Sequence, residues 1–263
     1  MIAEDFEYAG EYLKDWGFMI CSIENMNNIK KAISTLNFNT VSLINGKLFE
    51  LTTSQYDNHL ELNFQICKVI DNYQIESISL AEQREITRWL NRPTFHKFKI
   101  LQPNWTDIYM EGSFNVSTIE FSGKVMFLEL TFISNRPFAL HEPITYRFQT
   151  SKEDKQFAFF DCSDEIGYIY PDIKITCLED GDLEIHNSIE DRTTSIKNCS
   201  KNEIIVFSKE LLFSSSNLKH NPNDFNFKFP RIANAYGIRK NVLTFSKLAS
   251  VELTYTPYVK VVL

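Results

Sequence analysis

Apolar and polar residues alternate at every second position along most of the chain. The clearest case is "NHLELNFQIC", where one side of an extended backbone is entirely apolar: Leu60, Leu62, Phe64 and Ile66. Because successive side chains of a β-strand point to opposite faces of its sheet, this pattern predicts a half-buried strand. The alternation recurs in "KVMFLELTF", "PDIKITCLE" and "SVELTYTPY". The chain is therefore predicted to be mainly β.

One segment, "SLAEQREITRWLNRP", shows helical periodicity instead. Ser79 followed three residues later by Glu82 is the capping-box pattern of a helix N-terminus. Three apolar residues then share one helical face before a proline ends the pattern: Ile86, Trp89 and Leu90. We expect a single amphipathic helix near residues 80–91.

Breaks between the strand patterns divide the chain. "INGK" at 44–47 and "EDGD" at 179–182 contain the residues that tight hairpin turns favour. Two prolines and a lone histidine interrupt the alternation in "SNRPFALHEPI", residues 134–144. We therefore expect two domains: residues 1–140, a β domain that contains the helix, and residues 141–263, an all-β sandwich.

Composition and charge narrow the function. The 263 residues carry a formal net charge of -7 with a pI near 5.4, so the chain lacks the positive field that attracts phosphates. No run of about 18 apolar residues is present, and the acidic start "MIAEDFEYAG" lacks the features of a secretory signal. We expect a protein that is synthesised in the cytoplasm, does not insert into a membrane and does not bind nucleic acid specifically.

Histidines and cysteines show no recognised ligand or catalytic spacing. The cysteines are odd in number and contain no CxxC pair, so we expect reduced, mostly buried thiols at Cys21, Cys67, Cys162, Cys177 and Cys199. The histidines form neither HxH nor HExxH, so we expect solvent-facing side chains at His59, His96, His141, His186 and His220. No P-loop, GxSxG or GxGxxG pattern occurs. The sequence thus indicates no enzyme, no metal site and no cofactor.

Several passages together carry a family resemblance: "FEYAGEYLKDWGFMICSIE", "EITRWLNRPTFHKFKI", "YMEGSFNVSTIEF", "YIYPDIKI" and "DFNFKFPRIANAYGIRKNVLTFSKLASVELTYTP". Their order and spacing resemble the distal tail protein (Dit) family of long-tailed phages of Gram-positive bacteria. The resemblance implies an N-terminal, ring-forming β-sandwich domain with one α-helix and a C-terminal galectin-like β-sandwich.

The same resemblance implies a function as the structural hub of the virion tail tip. A homohexameric ring would join the major tail tube protein to the tail-associated hub or lysin protein. Its outer domains would dock receptor-binding or baseplate proteins. DNA would pass through the lumen without specific binding, and the negative net charge is compatible with this.

An alternative function stays open, a carbohydrate-binding adhesin that recognises host cell-wall glycans. The triplet His220, Asn221 and Pro222 is typical of galectin-type sugar sites. Such a site also needs an arginine soon after the proline and a tryptophan on which the sugar stacks. Asn223 and Asp224 follow instead, and the C-terminal domain has no tryptophan. We interpret the stretch as the entrance to a core strand with three phenylalanines on one face: Phe225, Phe227 and Phe229.

Three residues are candidates for a subunit interface. Trp16, in "LKDWGF", lies near a predicted loop, and tryptophan is enriched among the residues that dominate interfaces. Arg88 and Arg92 are spaced four apart on the predicted helix, where they line a solvated face or meet an acidic neighbouring subunit.

Overall fold

The protein folds into two compact units. A computed structural model describes the chain over residues 5–23, 36–42, 50–57, 59–70, 74–103, 105–235 and 237–261. The first unit is Met1–His141 together with Val259–Leu263, and the second is Glu142–Tyr258. Antiparallel strands dominate both units, so the predicted mainly β fold is confirmed. The predicted "INGK" turn lies outside the described residues.

One large antiparallel sheet organises the first unit. Its strands and those of a separate hairpin are β1 (Asp5–Tyr8), β2 (Glu11–Tyr12), β3 (Phe18–Ile23), β4 (Leu36–Ser42), β5 (Glu50–Tyr56), β6 (Glu61–Ile70), β7 (Gln74–Glu76), β8 (His96–Leu101), β9 (Ile108–Phe121), β10 (Lys124–Ser134) and β11 (Ala139–His141). The sheet order is β2-β1-β8-β9-β10-β6-β3, with β7 on β6 and β11 on β9. Strands β4 and β5 pair only with each other.

Helix α1 (Leu80–Leu90) begins as the sequence predicts. The Ser79 side chain accepts a hydrogen bond from the Glu82 backbone N–H, and the Glu82 carboxylate accepts one from the Ser79 backbone N–H at 2.8 Å. Lys68 of β6 lies 2.6 Å from the same carboxylate. Hydrogen bonds from Lys68 and then from Ser79 lower the pKa of Glu82 to about 2. This carboxylate therefore caps the helix and ties it to β6 at the same time.

Trp89 attaches α1 to the sheet. Its indole stacks on Phe6 of β1 with ring centroids 5.8 Å apart and on Trp16 at 5.3 Å. Its Nε1 donates to the Tyr8 carbonyl oxygen at 3.2 Å. The inward residues of the sheet form a largely aromatic core against this helix: Phe6, Tyr8, Phe64, Phe98, Phe114 and Phe132. As predicted, Ile86, Trp89 and Leu90 are the buried residues of α1.

A disulfide joins the neighbouring strands β3 and β6, between Cys21 and Cys67. The expectation that all cysteines are reduced thiols was therefore wrong for this pair. A register shift between Ile20 and Ser22 inserts Cys21 into the strand as a bulge, which brings it beside Cys67. The pair is 46 residues apart in sequence, so no local spacing reveals it. The other cysteines are free thiols, one exposed and two buried: Cys162, Cys177 and Cys199.

The second unit consists of two packed sheets. Its strands are β12 (Ile144–Gln149), β13 (Gln156–Phe160), β14 (Gly167–Ile169), β15 (Asp172–Cys177), β16 (Gly181–Asn187), β17 (Arg192–Cys199), β18 (Ile204–Phe207), β19 (Phe213–Ser215), β20 (Ile232–Asn234), β21 (Lys240–Phe245) and β22 (Ala249–Tyr255). The last strand, β23 (Tyr258–Val259), belongs to the sheet of the first unit, where it pairs with β11. The sheet orders are β12-β22-β15-β18-β19 and β13-β21-β16-β17, with β14 paired to β20. Inward residues of both sheets form one apolar cluster, which is the arrangement of a β-sandwich.

The close approach of β9 to β10 generates a prediction about Gly112. A Cβ at this position would lie 2.3 Å from the Ile133 carbonyl oxygen and 2.5 Å from the Phe132 aromatic ring. Because a backbone oxygen and a fully buried ring cannot move aside, Gly112→Ala should destabilise the first unit by about 1–3 kcal/mol. Thermal unfolding should show a lower midpoint. Gly237→Ala, where nothing lies within 4 Å, is the matched control and should leave the midpoint unchanged.

The capping carboxylate gives a pH prediction. The pKa of Glu82 is lowered from 4.5 to about 2 in the folded chain, so its stabilisation is complete above pH 4.5 and is lost as pH falls toward 2. Urea denaturation across this range should show wild type more stable than Glu82→Gln at neutral pH, with a difference that shrinks on acidification. Glu85→Gln, on the exposed side of α1, is the control. A wild-type advantage that grows at low pH would contradict this assignment.

Candidate assembly surfaces

The sheet of the first unit presents a polar surface on the side away from its aromatic core. We call it the polar face; it consists of outward residues of β6, β9 and β10: Glu61, Asn63, Gln65, Asn115, Ser117, Glu129, Thr131 and Ile133. Across the strands, Thr131 lies opposite both Asn63 and Asn115. Its Oγ1 donates to the Asn63 Oδ1 at 2.7 Å. The register therefore gathers amides and hydroxyls from three strands into one surface.

The residues of the polar face include two carboxylates, Glu61 and Glu129, and no lysine or arginine. Basic side chains lie at its border, where Arg136 is 2.7 Å from Glu111 of β9 and Lys97 of β8 is opposite Glu111. A surface that neutralises phosphates needs basic side chains, because counterion release drives that binding. The residues of the polar face themselves therefore offer a phosphate group no cation.

The three residues proposed for a subunit interface lie on or beside α1, in different environments. Trp16 is half-buried and stacks on Trp89. Arg92 is held by its own helix, since its Nε donates to the Trp89 carbonyl oxygen at 2.7 Å, and it lies 3.8 Å from Glu11 of the edge strand β2. Arg88 is 77% exposed and pairs only at the surface with Glu85. Arg88 is therefore the one most available to a neighbouring subunit.

The second unit contains a buried polar cluster around His220. The His220 Nε2 lies 2.6 Å from the Glu203 Oε1, and its Nδ1 lies 3.3 Å from the Asp224 Oδ2. Only 8% of the His220 side chain and 1% of the Glu203 side chain are exposed. The expectation that this histidine faces solvent was therefore wrong. Asp224 follows His220 by four residues, but Glu203 lies 17 residues upstream, where no sequence pattern connects it to His220.

The charges of this cluster support one another. Burial alone would lower the pKa of His220, but hydrogen bonds with Glu203 and Asp224 outweigh it and raise that pKa. Burial alone would raise the pKa of Glu203, yet donors from Ser215, the Ser200 amide and His220 hold it below its usual range. The backbone N–H of Asn221 is the main cause that lowers the pKa of Asp224. The cluster therefore joins the segment before β18, strand β19 and the loop after β19 through paired charges and hydrogen bonds.

The stretch after the cluster does not form the predicted core strand. Phe225 is buried and makes an isolated bridge with Ile196, whereas Phe227 is 66% exposed. Phe227 has a φ of 55°, a left-handed conformation that breaks the alternation of an extended chain. Phe229 is only partly buried against the core. The apparent sugar motif is therefore a loop: Asn221 caps a short 3-10 helix, Pro222–Asp224.

A small recess elsewhere in the second unit has room for about one water molecule, which is too little for a sugar ring. Its lining includes Asn187, Glu190, Arg192 and Arg231. Its charged side chains already contact one another or neighbouring groups. Arg231 lies 2.6 Å from Glu190, and its guanidinium lies 3.5 Å over the ring of Tyr168. This aromatic face is covered by an arginine and does not offer a stacking platform.

Two family models cover the chain. The model described as a phage tail protein N-terminal domain matches residues 1–136, and the model described as a phage tail C-terminal domain matches residues 138–255. The chain belongs to this phage tail protein family. A phage tail protein is a component of the virion tail, and both the family and the fold point to a structural rather than a catalytic protein.

Solved structures identify the fold. The structure of the Dit protein (gp 19.1) of phage SPP1, whose title calls it a paradigm of the hub adsorption apparatus in phages that infect Gram-positive bacteria, aligns with a TM-score of 0.68 at 10% identity. The alignment covers 96% of this chain and 98% of that chain. The phage tail protein described here therefore has the Dit fold, as the sequence resemblance predicted. An insecticidal crystal protein, Cry2Aa, aligns with a TM-score of 0.24 at 10% identity over 89% of this chain and 51% of that chain, a score too low to inform the fold.

The search among curated proteins found no match for this phage tail protein. Within the described residues, no helix has the length and apolar character needed to cross a membrane.

Proposed function

We propose that this phage tail protein is the hub of the tail tip, a homohexameric ring formed by the first unit with the second units as docking domains. The observation that carries the proposal is the fold likeness to the SPP1 hub protein along almost the whole of both chains. The two chains share 10% identity, so the proposal needs support from surfaces of this chain itself. The polar face and the sheet edges supply it.

The polar face is proposed to line the lumen of the ring. A ring at the end of a tail tube must let DNA pass, so its inner wall must stay wet and must not bind phosphate. The polar face meets both conditions through its amides, hydroxyls and two carboxylates. The opposite side of the same sheet is covered by α1 and cannot line a channel. Successive side chains of β6, β9 and β10 thus alternate between the proposed lumen surface and the apolar core.

Subunit contacts are proposed to form between unlike edges of the sheet. Within the described residues, β2 ends the sheet on one side and β3 ends it on the other, and each pairs with one strand of this sheet. Contacts between unlike surfaces generate closed rings when the rotation between subunits closes. Trp16 follows β2, and Arg92 lies beside Glu11 of that strand. We place Trp16, Arg88 and Arg92 in this contact, with Arg88 reaching an acidic group of the next subunit.

The partners follow from the proposed position in the tail. The ring would continue the major tail tube protein on one side and bind the tail-associated hub or lysin protein on the other. The second units would dock receptor-binding or baseplate proteins. No step in this role requires catalysis or a cofactor. Within the described residues the adhesin alternative gains no support, because the candidate sugar motif is a loop and the small recess beside Arg231 holds about one water molecule.

Arg88 tests the proposed subunit contact. Surface ion pairs such as Arg88–Glu85 are worth about 0–1 kcal/mol, so Arg88→Glu should leave the thermal stability of the monomer nearly unchanged. The same variant should shift the purified protein from hexamer toward monomer in sedimentation velocity, because it reverses a charge at the interface. Arg147→Glu, an equally exposed arginine in the second unit, is the control. If Arg88→Glu assembles like wild type and Arg147→Glu does not, the first unit does not form the contact.

Gold labelling tests which face lines the lumen. In a Cys162→Ser background, which removes the exposed free thiol, Asn115→Cys should take a maleimide gold cluster on the polar face. Electron micrographs of labelled rings should then show gold density in the central hole. Ala81→Cys, exposed on α1 across the same sheet, is the control and should place gold outside the hole. The reverse distribution would show that the helix side faces the lumen.

A further inference from the structure

The buried cluster around His220 combines three types of metal ligand. A thiol, a carboxylate oxygen and an imidazole nitrogen, from Cys199, Glu203 and His220, all lie within 4.8 Å of one another. A second thiol, that of Cys177, hydrogen-bonds to Cys199 and lies outside this group of three. We propose that this cluster binds a divalent cation of the Zn²⁺ type, as a structural site in the second unit. The sequence analysis assigned no metal ligand here.

The donor set favours a thiophilic cation. Zinc in structural sites takes four ligands, mostly thiolates and imidazoles with an occasional carboxylate, and keeps no open position. One sulfur, one nitrogen and one oxygen supply three of these ligands, and the Cys177 thiol would have to move toward them to supply the fourth. Ca²⁺ and Mg²⁺ require oxygen ligands, of which this cluster offers one carboxylate. Burial of Cys177, Cys199 and Glu203 also leaves no space for the waters that Mg²⁺ retains.

The groups around the ligands already orient them. Asp224 lies 3.3 Å from the His220 Nδ1, so it can hold the ring with its Nε2 toward a cation, in the carboxylate–histidine–metal arrangement common in zinc proteins. The Glu203 carboxylate accepts hydrogen bonds from the Ser215 hydroxyl and the Ser200 backbone N–H, both at 2.7 Å. A cation would replace the hydrogen bond between His220 and Glu203, whose Nε2 and Oε1 atoms, now 2.6 Å apart, would have to move apart to admit it.

The site would fix a loop to the sandwich. Cys199 ends β17, Glu203 directly precedes β18, and His220 belongs to the loop between β19 and β20. This loop carries the 3-10 helix Pro222–Asp224 and the exposed Phe227. A cation shared by the three segments would hold the loop more firmly than the present hydrogen bonds alone. This inference does not depend on ring formation or on the proposed hub function.

Cobalt titration of the reduced full-length protein tests the site. Co²⁺ bound by thiolates gives a sulfur-to-metal charge-transfer band and tetrahedral d–d bands, which aqueous Co²⁺ lacks. In a Cys162→Ser background we expect both features to saturate at one cation per chain and to disappear when Zn²⁺ is added. Absence of the charge-transfer band in the fully reduced protein would overturn the proposal, and this reading requires no variant at a buried position.

Variants then assign the ligands. Cys199→Ser and His220→Ala should each weaken Zn²⁺ binding at least about tenfold, and Asp224→Asn, which removes the orienting carboxylate, by about 10–100-fold. His186→Ala is the matched control, because His186 also pairs with a carboxylate but is more exposed. Circular dichroism identifies any variant that does not fold, in which case the nearly isosteric Cys199→Ser decides. Equal Zn²⁺ affinity in folded Cys199→Ser and wild type would show an adventitious ion only.

Discussion

Helix α1 packs on one face of the first unit's sheet, and this packing decides which side chains of the sheet are buried and which face outward. Trp89 stacks on Phe6 and Trp16 and donates its indole N–H to the Tyr8 carbonyl oxygen. Because the helix covers that face, alternation assigns every intervening side chain to the opposite face. A shift of one residue in register would exchange the two faces. The close approach of β9 to β10 at Gly112 constrains that register, since only glycine fits there.

The two units use polar groups in opposite ways. In the first unit the polar residues remain at the surface, where amides and hydroxyls of β6, β9 and β10 form a hydrated wall. In the second unit His220, Glu203 and Asp224 are removed from water and satisfy one another. Buried charges persist only when they are paired and hydrogen-bonded, so the cluster constrains how the loop after β19 can sit on the sandwich.

Local patterns in the sequence predicted most of the secondary structure. The capping box of Ser79 and Glu82 and the alternation around Phe64 each depend on neighbours within a few residues, and the structure confirms them. The features that sequence reasoning missed depend on distant contacts. Cys21 meets Cys67 through a bulge, and His220 meets Glu203 through the fold of the sandwich.

The third incorrect prediction, the core strand after Pro222, failed because of a backbone conformation. The alternation from Phe225 to Phe229 has the appearance of a strand, but Phe227 adopts a left-handed φ that a pattern of apolar residues does not reveal. The contacts of surface residues were harder still to predict. The sequence places Arg88 on a helix but does not show which side of the helix meets another subunit. The lesson is that periodicity predicts which side of an element is buried, and not what covers its other side.

Cryo-electron microscopy of the purified full-length protein tests the proposed ring directly. We expect a closed ring of six chains in which the polar face of β6, β9 and β10 borders the central hole and α1 lies on the outer side of the sheet. A monomer at all concentrations, or a ring whose hole is bordered by α1, would contradict it.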